Sequence, residues 1–378
     1  MRRCAPPPTA PMDIICDKSL LSSAIDGVSK AVTLRSSLPV LEGILMKADG
    51  FQLTLTGYDM EMAITTTIEA NVRVPGEIVL NAKLLGDMVR RLPAGEISIV
   101  VGDNGNATIK GGVAEFDIAA MLSDDYPPLP NPDAGYAFTI KAGQLRDMID
   151  KTLYAVSQDD KKPAHTGELF VMEPEMLTIV ALDGYRLAIV ERKFHTEKDI
   201  RVIIPAKTVA EAAKLLGDDD QDVRVSANRR YVVFAAGNYD IMSRLIEGEF
   251  LNYQSVIPQG CRTRVVLDVR DFIDTIERAS LIITERLKNP LRITFANNKV
   301  TVRCQTTLGK VVDEFDAQVE GDPVEIGFNN RYLLDALRNS HCEKVRLEIS
   351  GPLSPVKVLP MEGDGFIYLV LPVRFKND

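Results

Sequence analysis

Apolar and polar residues alternate along this chain at two different periods. FQLTLTGYDMEMAITTTIEA from Phe51 and MLTIVALDGYRLAIVERKF from Met176 alternate every second residue, the pattern of strands with one buried face. KSLLSSAIDGVSKAV from Lys18, GQLRDMIDKTLYAV from Gly143 and VRDFIDTIERASLII from Val269 place apolar residues at helical spacing, as an amphipathic helix requires. In these three, Leu20, Leu145 and Phe272 take equivalent core positions, and Ile25, Ile149 and Ile276 follow one turn on.

A second set of segments recurs with them: EIVLNAKLLGDMVRRLPAGEISIVV from Glu77, VIIPAKTVAEAAKLLGDDDQDVRV from Val202 and VEIGFNNRYLLDALRNSHCEKVRLEI from Val324. Each reads as strand, helix, loop, strand. Lys83, Lys207 and Arg331 match at intervals of 124 residues, and Arg90, Lys214 and Arg338 follow seven residues later. A seven-residue step returns to within about 20° on a helix, so the two bases of each helix share a face. Asp87, Glu211 and Asp335, four residues after each first base, place an acid beside them. Leu85, Met88 and Val89, then Val209, Ala212 and Ala213, then Leu333, Ala336 and Leu337 project to the opposite side.

The expectation is an α+β fold of three repeats of about 120 residues, each with two helices packed on antiparallel sheets. Turn residues cluster near Pro132 and at 258–260, dividing the chain into 12–132, 133–259 and 260–378. The basic, proline-rich residues 1–11 read as a disordered extension before Met12.

Composition narrows the function. No apolar run approaches the ~18 residues of a membrane helix. The net charge of −9 disfavours nucleic acid as a partner, unless the bases are gathered on one surface, as the matched helix faces suggest. The bland reading of those faces is solvated surface with i,i+4 ion pairs. Cys4, Cys16, Cys261, Cys304 and Cys342 are odd in number and widely spaced, which fits reduced thiols in a cytoplasmic protein rather than a disulfide framework or a zinc site.

The chain has no phosphate loop, GxGxxG, GxSxG or HExxH. His165, His195 and His341 are scattered, and Asp218, Asp219 and Asp220 lack the spacing of a calcium loop. No metal, cofactor or catalytic residue is expected. LDGYRLA, Leu182 to Ala188, reads as a turn with a paired Arg186; Arg35, in TLRSSLP, reads as surface. FIYLVLPVRFKND reads as a last strand followed by an apolar tail.

The stretches LPVLEGILMKADGFQLTLTGYDMEM, VALDGYRLAIVERKF, EIGFNNRYLLDAL and YLVLPVRF occur in that order between Met12 and Phe375. Together they resemble the bacterial DNA polymerase III beta subunits, the sliding-clamp family. The resemblance implies a head-to-tail homodimeric ring around double-stranded DNA, read without sequence preference. It also implies a non-catalytic processivity factor that tethers the DNA polymerase III alpha subunit, clamp-loader subunits and repair proteins through short linear motifs.

Carried over residue by residue, the resemblance implies a peptide pocket of Leu182, Gly184, Tyr185, Arg186, Leu187, Val256, Tyr332, Leu353, Val370, Leu371, Pro372, Val373 and Arg374. Its floor would be Leu187, Val256, Val370 and Leu371. Arg35 matches a DNA-contacting position, and the bases at 83, 90, 207, 214, 331 and 338 would face the DNA. Phe116, Ile118, Ile282 and Ile283 match subunit-interface positions. Leu251 and Ser255 depart from the Pro and Arg common at the pocket rim, and the loop DDKKPAHTG lacks the family's paired tyrosines. Lys376, Asn377 and Asp378 extend past the usual end. Two other readings are a peptide adaptor of the same fold that does not encircle DNA, and a hydrolase whose site assembles only in space.

Overall fold

The computed structural model describes residues 11–102, 105–130, 135–195, 199–284, 289–363 and 365–375. Residues 1–10, the expected boundary at Pro132 and the extension Lys376 to Asp378 lie outside the described residues. The first repeat holds β1 (Met12–Asp17), α1 (Lys18–Val28), β2 (Gly43–Asp49), β3 (Gln52–Tyr58), β4 (Met62–Glu69) and β5 (Asn71–Val74). It continues with β6 (Gly76–Asn81), α2 (Ala82–Arg91), β7 (Glu96–Val101), β8 (Asn106–Gly111), β9 (Ala114–Ala119) and β10 (Met121–Leu122).

The second repeat runs through β11 (Tyr136–Lys141), α3 (Ala142–Asp150), β12 (Gly167–Glu173), β13 (Met176–Leu182) and β14 (Arg186–Lys193). Then come β15 (Ile200–Pro205), α4 (Ala206–Leu215), β16 (Asp222–Ala227), β17 (Tyr231–Ala236) and β18 (Tyr239–Arg244). The third has β19 (Thr263–Asp268), α5 (Val269–Ser280), β20 (Leu291–Ala296), β21 (Lys299–Thr306) and β22 (Gly309–Asp316). It ends with β23 (Gln318–Gly321), β24 (Val324–Phe328), α6 (Asn330–Arg338), β25 (Lys344–Ile349), β26 (Val356–Pro360) and β27 (Ile367–Val370).

The helices begin where the chain offers a cap. Asp17 accepts from the amides of Ser19 at 2.7 Å and Leu20 at 3.2 Å, and Asp268 from those of Arg270 at 2.9 Å and Asp271 at 3.2 Å. Asn81 and Asn329 cap α2 and α6 in the same way. The caps correct one expectation. Leu20 is 44% exposed, and Leu21 occupies the core position instead. Leu21 and Phe272 each stand four residues after their capping Asp, whereas Leu20 stands three after, which turns it about 100° away.

The structure forms two compact units: residues 1–144 with 211–245, and residues 145–210 with 246–378. Each is built around one nine-stranded antiparallel sheet. In the first unit the order is β10-β6-β2-β3-β4-β18-β17-β16-β11, with a separate sheet β5-β1-β7-β8-β9. In the second it is β15-β12-β13-β14-β27-β26-β25-β19-β23, with a separate sheet β22-β21-β20-β24. Strands of the second repeat are thus shared between the units, because each large sheet is continuous across a repeat boundary. Ile64 pairs with Ile241 at the β4–β18 seam, and Ile189 with Ile367 at the β14–β27 seam.

The alternation on these strands buries one face against the helices. Leu21, Ile25 and Val28 of α1 and Leu85 and Val89 of α2 are fully buried, as are Phe272 and Ile276 of α5 and Leu337 of α6. Gly57 permits the close approach of α1 to β3: a Cβ there would stand 2.1 Å from the Val28 carbonyl oxygen.

One carboxylate is enclosed with the apolar residues. Glu168, on β12, has no exposed surface, and its Oε1 lies 2.7 Å from Thr152 Oγ1. That hydroxyl also lies 2.8 Å from the Met148 carbonyl and 3.2 Å from the Ile149 carbonyl, while Glu168 Oε2 has no partner among the described residues. A hydroxyl has one proton to give. If Thr152 donates to its own helix, Glu168 must be the donor to Thr152, and therefore protonated. Burial pushes the Glu168 carboxyl up to about 8, and Asp150 adds to the rise.

Candidate functional site

The turn between β13 and β14 builds a polar cluster in the second unit. Asp183 Oδ1 accepts from the amides of Tyr185 at 2.8 Å and Arg186 at 3.0 Å, and Gly184 takes φ +92°. This turn holds Tyr185 out, 60% exposed, and draws the Arg186 side chain in, 12% exposed. Arg186 Nε donates to Asp183 Oδ2 at 3.0 Å, and Nη1 donates to Asp335 Oδ2 on α6. Its guanidinium carbon also lies 5.0 Å from the Tyr332 ring centre and 5.4 Å from that of Tyr154, within cation–π range. Tyr185 and Tyr332 stack at 5.6 Å.

The C-terminal strand comes to the same place. β27 pairs with β14, Arg186 opposite Val370, and the Leu371 amide donates to the Tyr185 carbonyl at 2.9 Å. The chain then crosses to the edge of β24, where the Val373 amide donates to the Gly327 carbonyl at 2.8 Å. Phe375 closes the run with its ring 4.0 Å from the Arg292 guanidinium carbon.

The expected pocket residues divide into two layers. Leu182, Leu187 and Val370 are buried, the first two packed with Tyr253 and Leu369 in one core cluster. Of the expected floor, Leu187 and Val370 are buried, while Val256 is exposed and Leu371 half-buried. Tyr185, Val256, Leu353 and Val373 are exposed, Tyr332, Leu371 and Pro372 are half-buried, and Arg374 is exposed. Val256 closes the 3-10 turn Tyr253–Val256, whose Tyr253 anchors it to that core. Asp183, Asp335 and Tyr154 join Arg186 beyond the expected residues. Asp183 lay in plain view beside Gly184, whereas nothing local ties Asp335 or Tyr154 to Arg186.

The second feature is the set of basic helix faces. Lys83, Arg90, Lys207, Lys214, Arg331 and Arg338 are all exposed, as is Arg35 in its loop. Their neighbours differ from the simple i,i+4 expectation. Lys83 reaches Asp87 at 3.6 Å, but Arg90 binds Asp87 at 2.7 Å and Asp26 of α1 at 2.9 Å. Lys214 binds Glu211 at 2.9 Å, and Arg338 binds Glu277 of α5. Asp335 turns away from Arg331 to Arg186, because Arg186 is the more buried cation and is already fixed by the turn.

At the open edges of the two smaller sheets, β9 carries Phe116, half-buried, and Ile118, buried. β22 lies against α5: Phe272 and Phe315 pack with ring centres 5.5 Å apart, and Arg278 binds Asp313 at 2.6 Å. Ile282 and Ile283, partly exposed, follow that helix.

No helix among the described residues is long and apolar enough to cross a membrane. Among the same residues, no group of three or more His, Cys, Asp and Glu side chains is placed to hold a metal ion.

Three family models match in series: the DNA polymerase III beta subunit N-terminal domain over residues 12–130, the central domain over 139–252 and the C-terminal domain over 254–374. The beta sliding clamp of Halalkalibacterium halodurans is 32% identical over 380 residues, covering 96% of this chain and 100% of the relative. That of Bacillus subtilis is 30% identical over 377 residues, with the same coverage. The crystal structure of the Bacillus subtilis DNA polymerase sliding clamp superposes with a TM-score of 0.93 at 29% identity, covering 97% of this chain and 100% of that one. A sliding clamp from Bartonella birtlesii, bound to griselimycin, gives 0.92 at 28% identity, again over 97% and 100%. With three consecutive domain matches, full-length relatives and one shared fold, the chain belongs to the DNA polymerase III beta subunit family, the bacterial sliding clamps.

Proposed function

We propose that two copies of this chain close head to tail around duplex DNA and act, without catalysis, as a processivity factor. The observation that carries this reading is the way the strands are shared. Each repeat contributes two three-stranded meanders. The last strand of the first meander of the first repeat, β4, pairs with the last strand of the second meander of the second repeat, β18. The second and third repeats are joined by the same rule, β14 to β27. Applied once more, the rule pairs β22 of the third repeat with β9 of a first repeat, and among the described residues these are the outer strands of their sheets. A second copy supplies each missing partner. The five strands ending in β9 and the four beginning with β22 would make a nine-stranded sheet like the two already present. Unpaired edges are a liability that closure removes, and Phe116 and Ile118 facing Ile282 and Ile283 would seal the seam.

The domain limits 12–132, 133–259 and 260–378 belong to the same reading. So do phosphate contacts from Arg35 and the bases of α2, α4 and α6, which position without reading sequence. The exposed residues around Tyr185, Val256, Leu353 and Leu371 would dock short apolar motifs of the polymerase alpha subunit, clamp-loader subunits and repair proteins, in the cytoplasm. The test is topological. Loaded protein should stay on nicked circular DNA and leave once the circle is cut; equal retention on linear and circular DNA would refute encirclement and favour an adaptor.

A further inference from the structure

Arg186 is a cation drawn into the docking surface, and its charge is already matched. Two carboxylates hold it: Asp183 at Nε, 3.0 Å, and Asp335 at Nη1. One guanidinium between two carboxylates leaves a formal charge of −1. Its carbon also lies within cation–π range of Tyr154 and Tyr332, so the head is oriented by the protein on several sides at once. Asp183 is committed twice over, since its other oxygen caps the turn through the Tyr185 and Arg186 amides. Asp335 makes the long-range tie, 149 residues away in sequence. It stands three residues after Tyr332 on α6, and so shares that residue's side of the helix.

We infer that Asp335 is a positioning and specificity residue of the docking site: it pins Arg186 so that the site meets a ligand with the arginine stem and the stacked tyrosines, and discriminates against anionic anchors. This rests on the peptide-docking reading above. Left without Asp335, the guanidinium would have an unmatched fork of N–H donors, the geometry that proteins use to bind carboxylates. With it, a ligand carboxylate near Arg186 has to displace a bound one.

The test uses two labelled peptides, identical except that one carries Leu and the other Glu at its apolar anchor, titrated by fluorescence polarisation against the full chain. The wild type should bind the Leu peptide at least tenfold more tightly. Asp335→Asn keeps an acceptor but removes the charge. It should reduce the Leu-to-Glu ratio at least threefold, through a gain in affinity for the Glu peptide. Asp335→Glu should restore the wild-type ratio. Parallel losses for both peptides in D335N would mean that Asp335 merely supports the fold, and would overturn the inference, as would an unchanged ratio. A second variant guards against misfolding. Arg186→Met with Asp335→Leu replaces the pair by apolar side chains, an exchange that buried ion pairs often tolerate. With no guanidinium left to receive the Glu anchor, its Leu-to-Glu ratio should stay at or above the wild-type value, and a ratio that falls as in D335N would overturn the inference. If the Leu peptide fails to bind the wild type at all, the docking reading falls, and the inference with it, a result distinct from a wrong ratio.

Discussion

Replacing Glu168 by Gln should make the chain more resistant to unfolding at alkaline pH, and by an amount that depends on pH in a defined way. Desolvation holds the folded carboxyl at about 8, against an ordinary value of 4.5. The unfolded chain therefore loses its proton first as pH rises. Below about 4.5 both states are protonated and the group is neutral in its effect. Between about 4.5 and 8 stability falls, and above that window the loss is complete, because both states are then ionised. At about 1.4 kcal/mol per pH unit, the loss between pH 5 and pH 8.5 comes to about 4 kcal/mol. Glutamine has no such titration. Its amide can donate to Thr152 Oγ1 as the protonated acid does, while Thr152 donates to the Met148 carbonyl. Urea unfolding of wild type and E168Q at pH 5, 6, 7, 8 and 8.5, followed by near-UV circular dichroism, measures the difference directly. The gap between the two should widen steadily in favour of the variant. A gap that is constant across the series would show that Glu168 does not take up a proton on folding, and would refute the hydrogen-bond assignment.

Four further outcomes are expected. Ile282→Ala with Ile283→Ala should give a folded monomer by sedimentation velocity at micromolar concentration, where the wild type sediments as a dimer. Gly327→Ala should detach the C-terminal run, because a Cβ there would stand 2.3 Å from the Val373 carbonyl oxygen and 2.9 Å from the Phe375 ring; limited proteolysis should then clip the tail, and peptide affinity should fall at least tenfold. Arg331→Ala should lower the slope of log affinity against log salt for short DNA by about one, the value for one lost phosphate contact. Arg90→Ala should lower it less, since Asp26 and Asp87 already occupy that side chain.

The repeat, the helices and the direction of their apolar faces were legible because they are local. A period of two or 3.6 is written in consecutive residues, and Asp17, Asn81, Asp268 and Asn329 announce where the helices begin. Periodicity alone leaves a one-residue ambiguity between Leu20 and Leu21, which the Asp17 cap resolves in favour of Leu21. The seams were not legible. Alternation tells which side of β4 or β14 is buried but says nothing of which strand lies alongside, so two sheets that run through the repeat boundaries looked like three separate sets. The proposed docking surface is half legible for the same reason. The turn at Asp183 and Gly184 is a local signal, whereas the partnership of Arg186 with Asp335 exists only once β14 and α6 have been brought together. Arg90 and Arg338 show the opposite limit: their exposure was foreseen, but their acids come from the neighbouring helices α1 and α5.

The seams also differ in what holds them. The β4–β18 and β14–β27 pairings join segments of one chain, so each strand meets its partner at an effective concentration fixed by the intervening polypeptide and is indifferent to dilution. A β9–β22 pairing between copies would have no such tether. Of the six seams in a closed pair, four would survive any dilution and two would obey mass action. Breakage would therefore always occur at the same two places, and lowering the protein concentration would yield intact three-repeat chains rather than scattered fragments.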